Sequence, residues 1–224
     1  MYITRNIEQT INRISNQFNV LLLTGARQVG KTTLLKHLAQ NSNRTYVTLD
    51  DLAVRSLALS DQALFLQRYM SPLLVDEIQY APQLLSYIKI YADNGAQNGD
   101  IWLTGSQRLP LMQGVTESLA GRVGIIDLQG LSANEINGTD NMEPFLPETD
   151  LLFNRMNNAK KQSLKEIYKL IWQGSMPAMY NGGEQDWQSY YASYVQTFLQ
   201  RDVMKLLQMN DEMVFFRFLC AAAG

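Results

Sequence analysis

Between Gly25 and Thr32 the chain reads GARQVGKT, which fits the spacing G-x-x-x-x-G-K-[ST]. A turn of this kind can hold phosphate. Its glycines let successive backbone N–H groups turn inward on phosphate oxygens, and the start of a following helix adds positive partial charge. The candidate cradle is Gly25, Ala26, Arg27, Gln28, Val29, Gly30, Lys31, Thr32 and Thr33. Lys31 would reach the β- and γ-phosphates, and Thr32 would ligate Mg²⁺. Arg27 also reads as a surface residue. A chance match in a chain of this length has a probability of roughly one per cent. The context, an apolar strand before the motif and a helix after it, argues further against a bare strand–turn–helix.

A cradle needs acids. In LLVDEIQ an apolar run ends at Asp76 and Glu77. An acid at the end of a buried strand projects past the sheet edge, where a phosphate loop also opens. Asp76 is then placed to hold Mg²⁺, directly or through water, and Glu77 to orient and polarise an attacking water. The plainer reading is a pair of solvated turn acids. Ser106 ends a further apolar run, IWLTGS, and would sense the γ-phosphate or help hold the water if that strand lies between the other two. The plainer reading is a loop serine.

The elements that must position these groups follow from periodicity. Ile7, Ile11, Ile14 and Phe18 recur at helical spacing. NVLLLTG, SPLLVDEIQ and DIWLTGS read as buried apolar strands, TYVTLDD as a β-rich run ending in two acids and VGIIDLQGL as a fifth strand. KTTLLKHLAQN, DQALFLQRYM, a segment after Pro82 and ESLAGR read as helices, so strands and helices alternate from Val20 to about Leu131. Asp50 and Asp51 either end a strand beside the loop or cap the next helix. INGTDNMEPFLPETD is polar and reads as a connector. SLKEIYKLIWQG then opens with a capping box, Ser163 to Glu166, and ends at Gly174. A helix from about Glu184 to Met209 carries Trp187, Tyr190, Tyr191, Tyr194, Phe198 and Leu199 as an apolar stripe, read as core. Arg201 and Asp202 on it read as an internal ion pair.

Composition narrows the classes. Hydrophobic residues at 46% and charged residues at 18% exclude a disordered chain. A net charge of −2 gives no basic surplus for tight non-specific nucleic-acid binding. One cysteine, Cys220, excludes an internal disulfide and fits a reducing cytoplasm. With His37 as the single histidine, no Cys/His metal cluster can be built, and both residues read as packing or surface groups. The N-terminus lacks the apolar core of a signal peptide, and the longest apolar candidate, MVFFRFLCAAA, is short and broken by Arg217, so no membrane span is expected.

GARQVGKTTLL, LDD, LLVDEIQ, LTGSQ and ESLAGRVGIIDLQGLSANE together resemble the prokaryotic ATPases of the AAA+ superfamily, in the group that pairs an AAA-type module with a C-terminal domain of unknown function. The resemblance covers about Ile7 to Glu135, and IWQGSMPAMY and YYASYVQTFLQRDV resemble the start of that C-terminal region. It implies an α/β P-loop fold, with the Ser106 strand inserted between the P-loop and second-acid strands and flanking helices, and it implies ATP and Mg²⁺. Arg122, in LAGRV, matches the arginine these proteins carry after the sensor strand. It would stabilise transferring charge in cis or from a neighbouring subunit, or else form a structural salt bridge. The group continues through a winged-helix-like segment and a nuclease-like fold, so a chain that stops at FLCAAAG reads as truncated, and nucleic acid is a partner only by family analogy.

The expected organisation is an ATPase domain over 1–135, a connector over 136–162 and a partial helical region over 163–224. The expected reaction is hydrolysis of ATP by a water oriented by Glu77. The alternatives are an ATP-gated interaction module without turnover and a P-loop kinase with a small acceptor. Phe198, Phe215, Phe216 and Phe218 are expected to form an exposed apolar patch that favours self-association.

Overall fold

Neighbouring residues along the central strands serve opposite faces of the sheet, and that alternation explains why their sequences are apolar throughout. In the computed structural model Val20, Leu22, Leu73, Val75, Ile101 and Leu103 pack one way, while Leu21, Leu23, Leu74 and Trp102 pack the other. The structure describes residues 2–40, 42–106, 114–115, 117–139, 146–159, 161–182, 186–198 and 212–223.

The strands are β1 Val20–Gly25, β2 Thr45–Thr48, β3 Leu73–Asp76, β4 Ile101–Gly105 and β5 Val123–Leu128. They form one parallel sheet in the order β2-β3-β4-β1-β5. β4 therefore lies between β1 and β3, as the family resemblance implied. Edge strand β5 keeps alternation at the surface: Ile126 and Leu128 are buried, while Ile125 is exposed.

Helices α1 Glu8–Ser15 and α2 Lys31–Ala39 cover one face through Ile11, Leu34 and Leu35. Helices α3 Leu52–Ser60, α4 Gln62–Arg68 and α5 Leu84–Asp93 cover the other through Ala58, Phe65, Leu84, Leu85 and Ile88. Asp51 settles its alternative by capping α3, accepting from the N–H groups of Ala53 and Val54.

Helix α6 Ala133–Asn137 closes the module with a capping box from Ser132 to Glu135. Helix α7 Thr149–Asn158 falls inside the stretch read as a connector and buries no residue. Helix α8 Leu164–Gln173 has the expected capping box and stops at Gly174. Helices α9 Trp187–Phe198 and α10 Glu212–Ala223 follow. Leu199, Arg201 and Asp202 lie outside the described residues.

The aromatic stripe of α9 corrects the core reading: Trp187, Tyr190, Tyr191 and Tyr194 are only half-buried, and Phe198 is exposed. Of the expected patch Phe216 and Phe218 are exposed while Phe215 is half-buried, and Leu164, Tyr168, Ile171 and Trp172 of α8 are exposed as well. His37 stacks on Tyr2 with ring centroids 3.9 Å apart, and Cys220 is exposed. Among the described residues, no helix is long and apolar enough to cross a membrane.

Candidate active site

The turn after β1 takes its shape from two glycines. Gly25 has φ 142°, and a Cβ there would sit 2.3 Å from the carbonyl oxygen of Leu128 on β5, so no side chain fits. Gly30 has φ 95° immediately before α2, a backbone that glycine adopts without steric cost. Between them Gln28 has φ 62°, which is unusual for a residue with a side chain.

Lys31 is buried, and its Nζ donates to the carbonyls of Gly25 (3.0 Å) and Ala26 (2.7 Å). Burial lowers its pKa and Arg27 acts in the same direction, while Glu77, Asp76 and Asp127 oppose the shift. The ammonium thus sits on its own loop with acids nearby, where an incoming phosphate would exchange carbonyl partners for charged oxygens.

One residue further on, Thr32 Oγ1 donates to Asp76 Oδ1 at 2.7 Å. Asp76 is buried at the end of β3 and accepts two more hydrogen bonds, from Thr104 Oγ1 on β4 and from Tyr46 OH on β2 at 3.1 Å. Burial, with the charge of Asp76 next to it, pushes the Tyr46 hydroxyl up to about 12, so Tyr46 remains a donor at neutral pH. The hydroxyl of Thr32 and the carboxylate of Asp76 are adjacent hard oxygen donors. Mg²⁺ suits such a pair because it takes one or two protein oxygens and fills its octahedron with water and substrate phosphate. Among the described residues no group of three His, Cys, Asp or Glu side chains offers an all-protein metal cage.

Glu77 follows in the left-handed region, φ 60° and ψ 46°. Its N–H donates to Thr104 Oγ1 at 3.1 Å, so a single β4 hydroxyl orients both acids. A short 3₁₀ turn, Ile78–Tyr80, brings Gln79 back so that its amide donates to Glu77 Oε2. Ser106 Oγ donates to the same oxygen at 3.3 Å. Arg27, Gln28, Gly30, Lys31, Thr32, Thr33 and Glu77 line one cleft of about 380 Å³, which Thr197 of α9 completes. The sheet thus brings together Lys31, Thr32, Asp76, Glu77 and Ser106.

Arg122 is not among them. It precedes β5 at the opposite end of the sheet, about 20 Å along the strands from the loop by strand rise. There it forms an ion pair with Asp93 and donates to the carbonyl of Ala120. Within this chain it takes the salt-bridge alternative rather than a place at the cleft.

Several groups at the site carry no sequence signature. Thr104 and Tyr46 gain their importance only from strand register, which local spacing does not carry. Arg5 is more remote still. It is buried, pairs with Glu135 at 3.1 Å, and donates to the carbonyls of Val29 (3.0 Å), Gln129 (2.8 Å) and Gly130 (3.1 Å). Burial alone would raise the pKa of Glu135. Hydrogen bonds from the Ser132 and Asn6 N–H groups and the charge of Arg5 outweigh that and hold it low. The pair ties the N-terminal segment and α6 to the back of the phosphate loop.

The family model for the AAA domain matches residues 17–137. Proteins described as uncharacterised in Mycobacterium tuberculosis and Mycobacterium bovis are each 25% identical over 203 residues, covering 90% of this chain and 40% of their own. The chain therefore spans well under half the length of the curated relatives it matches. Among solved structures, the Walker-type ATPase of Pyrococcus abyssi superposes with a TM-score of 0.57 at 17% identity, covering 92% of this chain and 76% of its own, a likeness of fold.

Proposed function

This chain belongs to the AAA-domain family, and from that premise we propose that its cleft binds ATP with Mg²⁺ and hydrolyses it to ADP and phosphate. Lys31 leaves the Gly25 and Ala26 carbonyls and binds the β- and γ-phosphates, while the N–H groups of the loop from Gly25 to Thr33 surround them. Thr32 and Asp76 hold Mg²⁺, which when bound neutralises charge on the phosphates. Glu77 orients the attacking water and accepts its proton, and Ser106 fixes the carboxylate that does so. Thr104 keeps both acids in register. The observation that carries the reading is the Thr32–Asp76 hydrogen bond of 2.7 Å, which joins the loop to the end of β3 beside Lys31 and Glu77.

Residues 1–135 form the ATPase domain, 136–162 a connector that contains α7, and 163–224 the helical region of a cytoplasmic protein. Arg122 enters only as a group offered to a neighbouring subunit. Self-association is favoured by the exposed Ile171, Trp172, Phe216 and Phe218.

A second reading, ATP-gated interaction without turnover, is favoured by the engagement of Glu77 Oε2 with Gln79 and Ser106. Calorimetric affinity and steady-state phosphate release, measured on the same sample, separate the two. Hydrolysis predicts Mg²⁺-dependent release that stops with EDTA. Tight ATP binding with no release would support gating and remove the enzymatic claim.

A further inference from the structure

Helix α9 lies outside the matched AAA domain, yet it meets the phosphate loop directly. Tyr190 OH donates to Gln28 Oε1 at 2.7 Å, and Tyr194 OH donates to the carbonyl of Arg27 at 3.4 Å. Thr197 reaches the cleft shared by Lys31, Thr32 and Glu77. These residues stand at i, i+4 and i+7 and so share one helical face. The two tyrosine rings stack with centroids 6.3 Å apart. Burial raises the pKa of the Tyr190 hydroxyl, with the neighbouring Tyr191 and Tyr194 adding to it.

The other flank of α9 is fixed to α8. Tyr191 OH donates to the carbonyl of Gln173 at 3.0 Å. A Cβ at Gly174 would lie 2.2 Å from that hydroxyl, so the close approach depends on glycine there. Trp187 and Trp172 rings lie 5.5 Å apart. The helix therefore bridges the phosphate loop and the helical region.

We propose that Tyr190 and Tyr194 are positioning residues for the phosphate loop, supplied from outside the AAA domain, and that they couple nucleotide occupancy to the docking of α9. Gln28 holds a left-handed backbone, which a residue with a side chain keeps only where its surroundings enforce it. Tyr190 holds that residue's side chain, and Tyr194 takes an adjacent carbonyl of the same turn. Phosphate would order the turn through its inward N–H groups while the tyrosines order it from α9. Both favour one loop conformation, so each strengthens the other, and linkage makes the effect reciprocal. The inference rests on the proposal that this loop binds nucleotide.

The test compares the full chain with its Tyr190→Phe/Tyr194→Phe double variant, which keeps both rings and removes only the hydroxyls. Affinity for a fluorescent ATP analogue with Mg²⁺ and amide hydrogen exchange across 187–198, with and without ATP, are measured in parallel. In the parent chain, nucleotide slows exchange across α9. The double variant binds several-fold more weakly, two hydrogen bonds of ordinary strength setting the upper limit at roughly 100-fold, and loses the nucleotide-dependent part of the protection. KM rises while kcat changes little, a split that a general loss of stability would not produce. If the parent binds nucleotide but α9 exchanges equally fast with and without it, the coupling is wrong while the ATPase proposal stands. Parent-like affinity and protection in the double variant would also overturn it. Failure of the parent to bind any nucleotide would instead remove the underlying site.

Discussion

Lys31→Ala should weaken ATP binding by about 100-fold or more. The substitution deletes the one ammonium buried in the loop, and a charge-assisted contact to each of two phosphates is worth more than a neutral hydrogen bond. It also leaves the Gly25 and Ala26 carbonyls without their donor, so the loop loses order even before ligand arrives. Lys31→Arg separates the two effects. It retains charge but replaces a compact ammonium with a planar fork that does not fit the same space. Calorimetry on both variants, with circular dichroism to establish that they fold, gives the answer. Parent-like affinity in a folded Lys31→Ala chain would exclude the loop as the phosphate site.

Glu77→Gln should leave ATP binding within a few-fold of the parent and slow hydrolysis by about 10²–10⁴-fold, the usual contribution of a positioned general base. Glutamine preserves the side-chain length and can still accept from Gln79 and Ser106, so the local hydrogen bonds survive. It cannot accept the proton of the attacking water. Acid-quenched ADP formation in a single turnover measures the chemical step apart from product release. An unchanged single-turnover rate would assign water activation to another group.

Much of this arrangement was legible because local rules carried it. The apolar strand runs, the Gly-Lys-Thr turn and the capping box at Ser163 are all set by neighbours within a few residues. The position of β4 between β1 and β3 was not written in local spacing; it came from family resemblance. Thr104 and Tyr46 became visible only when the parallel register brought β4 and β2 alongside Asp76. Arg5 meets Glu135 across 130 positions, a distance that periodicity does not span.

Helix α3 was missed because LAVRSLALS is apolar on nearly every side and so lacks an amphipathic stripe; Leu52 and Leu59 remain exposed. Helix α7 was hidden by the polar and proline-bearing stretch before it. The tyrosines of α9 misled in another way. An aromatic stripe reads as core, but tyrosine carries a hydroxyl that can leave the apolar side and take a polar partner, and here Gln28 and Arg27 provide it.

The central claim is that this cleft recognises a nucleotide by its phosphates. Competition among ATP, ADP, AMP and adenosine for the Mg²⁺-supplemented chain tests that most directly, because the ligands differ only in the groups Lys31 and the loop are proposed to hold. The account predicts that ATP binds more tightly than ADP, that a further loss of about 100-fold or more follows when the β-phosphate is removed, and that adenosine gives no measurable competition. Equal competition by AMP or adenosine and ATP would contradict it.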